Sequence, residues 1–146
     1  MQLFLTLTWL IAFIASALAQ RIAVGAPAEW TNVQPGQNVT VRVDKPNSLS
    51  GSQDIAIAIG LWPCGSTACS NIDVQEVLGD VVYSGPYTPQ LVSPGLPPFQ
   101  NFTVTVPEHF QPQQVSLSVA HFALIGAGSM PFMEVANITL IIPQAN

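Results

Sequence analysis

Residues able to do chemistry are few in this chain. Its 146 residues include two histidines, His109 and His121, two cysteines, Cys64 and Cys69, and eight acids. His121 stands in Val119-Ala120-His121-Phe122-Ala123, within the most apolar segment after the amino-terminal run. An imidazole there could act as a buried acid/base or ligand, or it could be a core histidine hydrogen-bonded to backbone, and the apolar surroundings favour the second. His109, in Pro107-Glu108-His109-Phe110, reads as a solvated loop residue. A catalytic histidine would need an activated nucleophile, and the sequence has no Gly-x-Ser-x-Gly elbow.

The acids offer a second chemistry. Asp73, Glu76 and Asp80 cluster in one segment, while Asp54, Glu108 and Glu134 fall at strand ends. Paired carboxylates at suitable separation cleave glycosidic bonds. Hydrated loop acids account for the same residues more simply. A sandwich-fold copper oxygenase would begin with histidine, whereas the cleavage site described below leaves Gln20. The expectation is therefore no catalytic residue, no metal, no cofactor and no enzyme.

Cys64 and Cys69 are five positions apart, and in an exported chain they read as a disulfide closing a small loop. A redox motif would have two intervening residues, not four. A zinc site would have to recruit His109 and His121 from distant segments. Aromatic residues near turns are the remaining candidates. Of Trp30, Trp62, Tyr83, Tyr87, Phe99, Phe110 and Phe132, most read as structural plugs, and Trp30, Tyr87 and Phe132 are the expected contact residues for a partner.

Strands must hold these residues. Asn38–Asp44 alternates Val39, Val41 and Val43 with polar residues. Residues 101–106 and 136–142 alternate in the same way, which is the period of a half-buried strand. Residues 54–62 and 115–125 are apolar on both sides and predict central strands covered on both faces. Residues 21–25 and 80–84 are shorter candidates. Residues 70–79 could hold one helical turn, and the five prolines within 86–98 predict an extended, irregular connection. Seven short strands with turn signals between them predict an all-β fold: an immunoglobulin- or fibronectin III-like two-sheet antiparallel sandwich in one domain, residues 20–146.

Composition sets the compartment. Residues 1–15 are almost unbroken apolar, and Ala17-Leu18-Ala19 is a small-x-small cleavage site, so residues 1–19 read as a secretory signal peptide and the mature protein as extracellular. No later run is long enough for a membrane anchor. Three bases (Arg21, Arg42, Lys45) face eight acids, for a net charge of −5, which excludes nucleic acid and anionic membrane as partners. Asn38, Asn101 and Asn137 each open an Asn-x-Thr sequon on the polar face of a predicted strand, so all three are expected to be N-glycosylated, which would wet a surface poor in charge.

Several segments resemble the fungal necrosis-inducing secreted protein family. They are Arg21-Ile22-Ala23-Val24-Gly25-Ala26-Pro27, Val82-Tyr83-Ser84-Gly85-Pro86-Tyr87, residues 98–107 and residues 119–127. The resemblance runs over essentially the whole mature chain. It rests on strand and turn patterns rather than on a catalytic signature. It implies a small secreted effector on a sandwich fold that triggers plant cell death or damps immunity by binding a receptor-associated immune kinase. The alternative expectation is a secreted cell-wall or carbohydrate-binding module that uses loop aromatics.

Overall fold

The computed structural model describes residues 21–47 and 51–144. The expected signal peptide, residues 1–19, lies outside the described residues. Seven strands follow in order: β1 (Ala23–Ala26), β2 (Asn38–Asp44), β3 (Ser52–Pro63), β4 (Asp80–Pro86), β5 (Phe99–Thr105), β6 (Gln113–Ile125) and β7 (Met130–Ile142). They form two sheets, β1-β2-β5 and β4-β3-β6-β7, and every pairing between these strands is antiparallel. The fourth strand pairs with the third rather than with the fifth. Of the two expected arrangements this is the fibronectin III one.

Alternation builds the layer between the sheets. Val39, Val41 and Val43 of β2 and Phe102 and Val104 of β5 meet Ile57, Ile59 and Leu61 of β3 and Val115, Leu117 and Val119 of β6. Each such side chain, wholly withdrawn from water, contributes about 1.5–3 kcal/mol. β6 and β7 form a long hairpin whose register runs from Gln113↔Ile142 to Ile125↔Met130. Its turn uses Gly126 and Ser129 at positive φ. β7 begins six residues before the expected 136, because Met130-Pro131-Phe132-Met133 carries no alternation to mark it.

β3 and β6 are central, as expected, but their outer faces are covered only in part. The connection from β3 to β4 carries a 3₁₀ turn at Cys69–Asn71 and folds back over the sheet. A Cβ on Gly60 would collide with the Leu78 carbonyl of that connection, so the strap can lie against β3 only because Gly60 has no side chain. Ser116 and Ser118 on the outer side of β6 are buried, and their hydroxyls lie 3.2 Å apart. Further along the same face Ala56 and Ala58 are half-buried and Phe122 is exposed. The strap covers one half of the face and leaves the other to solvent.

The edge of β7 is closed by the segment before β2. Trp30 N–H donates to the Thr139 carbonyl at 2.7 Å, Val33 N–H to Ile141 at 2.8 Å, and Ile141 N–H to Thr31 at 3.0 Å. These bonds surround a parallel bridge between Asn32 and Ile141.

Candidate functional site

A line of charged groups runs through the sandwich at the end where β1 begins. His121 is the next inward position after Val115, Leu117 and Val119, so the alternation of β6 sends its side chain into the core, where the residue is 2% exposed. Across the ladder it faces Glu134 of β7, with Nδ1 3.0 Å from Oε1. On its other side Nε2 lies 3.0 Å from Asp54 Oδ1 at the start of β3. The outer ends are held as well. Lys45 Nζ donates to Asp54 Oδ1 at 2.6 Å and to Ser52 Oγ at 2.8 Å, and Ile22 N–H donates to Glu134 Oε1 at 3.1 Å. The Tyr87 ring packs edge-on against the imidazole at 5.3 Å between centroids.

The electrostatics follow from this placement. Burial works against a charged His121, but hydrogen bonds and attraction from Asp54 and Glu134 outweigh it and hold its pKa above the ordinary 6.5. Burial likewise disfavours an ionised Asp54, and the bonds from His121 and Lys45 outweigh that and hold its pKa below 3.8. Both ring nitrogens face carboxylates, and only an imidazolium donates from both. Burial, together with the carboxylates of Asp54, Asp44 and Glu134, pushes ionisation of the Tyr87 hydroxyl upward.

This arrangement corrects the reading of His121 as a histidine bonded to backbone: its partners are two carboxylates. Asp54 and Glu134, read as hydrated acids at strand ends, are part of a nearly buried ionic cluster. The signal was an imidazole amid apolar residues, which needs polar partners, but their positions are 67 and 13 residues away and only strand register brings them together. His109 is exposed as expected and lies 3.3 Å from Asp80. Among the described residues no group of three or more His, Cys, Asp or Glu stands in an arrangement suited to a metal ion.

The remaining candidates separate. Cys64 and Cys69 are disulfide-bonded, and Cys69 N–H donates to Gln114 Oε1 at 3.1 Å, which fastens the small ring to β6. Trp30 is exposed, at positive φ. Phe132 is half-buried and lines a shallow cavity with Arg21, Gln75, Met133, Glu134 and Val135. Tyr87 is not a contact residue: it is 0% exposed, and its hydroxyl donates to the Val43 carbonyl of the opposite sheet at 3.0 Å. Trp30, Tyr87 and Phe132 therefore do not form one exposed patch. Asn38, Asn101 and Asn137 are all exposed, with Asn38 Oδ1 accepting from Thr105 Oγ1 at 2.8 Å, whereas Thr139 of the third sequon is buried.

Fold and site together define a class: a disulfide-bearing, fibronectin III-like sandwich in which a buried histidine is tied to two carboxylates of the same four-stranded sheet. The Nis1 family model matches residues 17–141, and the chain belongs to that family of necrosis-inducing secreted effectors. Over 140 residues it is 26% identical to Necrosis-inducing secreted protein 1 of Colletotrichum orbiculare, covering 96% of this chain and 80% of that protein. The protein is secreted and extracellular. Among the described residues no helix is long and apolar enough to cross a membrane.

Proposed function

We propose that this effector works without catalysis, by binding a host protein, a plant receptor-associated immune kinase, and so suppresses immunity or induces cell death. Family membership supports the effector role. One observation carries the binding role: His121, Asp54 and Glu134, the residue types able to do acid/base work, are committed to one another inside the sandwich, while large apolar side chains stand outside it. Trp30, Leu91, Val92, Met130 and Met133 are each more than half exposed. Exposed apolar groups rather than titratable ones are then the means by which the surface acts. The carbohydrate-binding alternative uses loop aromatics, and the burial of Tyr87 removes one of the three expected contact rings.

The test is co-purification of the secreted protein with plant receptor-associated kinases, run beside immune signalling in leaves that express it. Association together with altered signalling is the expected result. No association and unchanged signalling would end the proposal.

A further inference from the structure

We propose that the connection between β4 and β5, residues 87–98, is a preformed apolar finger that docks in a groove on a protein partner. The inference rests on the reading of the protein as a binder of host proteins and adds where it binds. Leu91 and Val92 are adjacent and, at 72% and 68%, are the most exposed large apolar side chains among the described residues; Leu96 follows at 39%. Single exposed leucines are ordinary, but neighbouring ones on a protruding loop form a patch.

The loop is held in shape by its base. Tyr87 anchors it in the core through its bond to Val43. Gln90 and Phe99 exchange both backbone hydrogen bonds, at 2.9 and 3.0 Å, Thr88 N–H donates to Gln100 Oε1 at 2.8 Å, and Lys45 N–H donates to Pro98 at 2.8 Å. The tip folds on itself as a type II turn: Leu96 N–H donates to Ser93, Pro94 takes the second position, and Gly95 takes the third with φ +89. Nothing lies within 4 Å of a Cβ built on Gly95, so the glycine serves the backbone conformation and not a neighbour. Prolines and turn together fix the apolar residues before any partner arrives, and this lowers the ordering entropy lost on binding.

Chemistry narrows the partner. No residue from Val81 to Pro107 is charged. The nearest ammonium, Lys45, is committed to Asp54. A finger without basic residues does not suit nucleic acid or an anionic lipid surface. A sugar would need an exposed ring, and here Tyr87 is buried while Phe99 is half-buried with the Arg42 guanidinium 5.6 Å from its centroid. Two neighbouring aliphatic side chains on an uncharged, preformed loop fit an apolar groove on a protein.

The test places a benzophenone amino acid at position 91 of the purified protein, with the same group at exposed position 81, outside the finger, as control. Irradiation in infiltrated leaf tissue should give an adduct with one protein from position 91 and not from 81. That protein, purified, should bind the wild-type chain and bind the Leu91→Ser/Val92→Ser variant about tenfold or more weakly, with the variant's thermal midpoint unchanged. If the adduct is not a kinase, the finger stands and the kinase reading falls. Adducts with lipid alone, equal labelling from both positions, or equal binding by the folded variant would overturn the finger.

Discussion

His121 on β6 and Glu134 on β7 are directly opposed in the ladder, with 3.0 Å between Nδ1 and Oε1, inside the apolar layer between the sheets. With Asp54 on the other nitrogen, the imidazole is the middle member of a bridge from β7 to β3. The carboxylates lose much of their hydration there, so the bridge stabilises the fold only while its protons are in place.

Stability should therefore depend on pH in both directions. His121 has its folded pKa raised above 6.5, so its contribution is complete below 6.5 and is lost as pH rises through the folded value. Asp54 has its folded pKa lowered below 3.8, so its contribution is present above 3.8 and is lost as pH falls through the folded value. The thermal midpoint should be highest between pH 3.8 and 6.5 and decline as pH rises above 6.5. His121→Gln should flatten the alkaline decline. A midpoint that stays constant as pH rises above 6.5 in the wild-type chain would count against the bridge.

Glu134→Ala leaves His121 with one carboxylate and takes the acceptor from Ile22 N–H. The cost in unfolding free energy should be about 3 kcal/mol. Denaturant titration at mildly acid pH measures it, and a cost within error of zero would show that the cluster relaxes around the loss.

Tyr87→Phe keeps the ring against His121 and Phe102 but removes the donor to Val43. The bond joins the two sheets in a site closed to water, so its loss should cost about 1–2 kcal/mol in the same titration.

Period-two alternation made most of the sheet structure legible. Asn38–Asp44 was readable to the residue because every second side chain is valine and every other one polar. β7 was half hidden because Pro131 and three large apolar residues erase the alternation at its start. Tyr87 was misread because a proline-rich neighbourhood predicts exposure, whereas the tyrosine is drawn inward by one carbonyl on the opposite sheet. The charged cluster was the least legible part. Its members come from four separate segments, and their proximity is a product of register, which no local pattern encodes.

Gly60→Ala tests the strap. The added methyl must displace the Leu78 carbonyl or bend β3, at an expected cost of about 1–3 kcal/mol. Hydrogen exchange should speed up in residues 64–79 before it does elsewhere. Uniform behaviour across the sheet would mean that the strap is not seated on Gly60.

Thr139 sets an order of events. Residues 30–33 bond along the edge of β7, and in the folded chain Thr139 is 5% exposed while Asn137 points to solvent. An enzyme that transfers sugar to Asn137 must also grip the Thr139 hydroxyl. Any glycan at Asn137 must therefore be attached before the chain has folded around Thr139. Sequons one and two keep their threonines, Thr40 and Thr103, in the open after folding. At the third sequon glycosylation would compete with folding, and its occupancy would record how quickly the chain closes around Thr139.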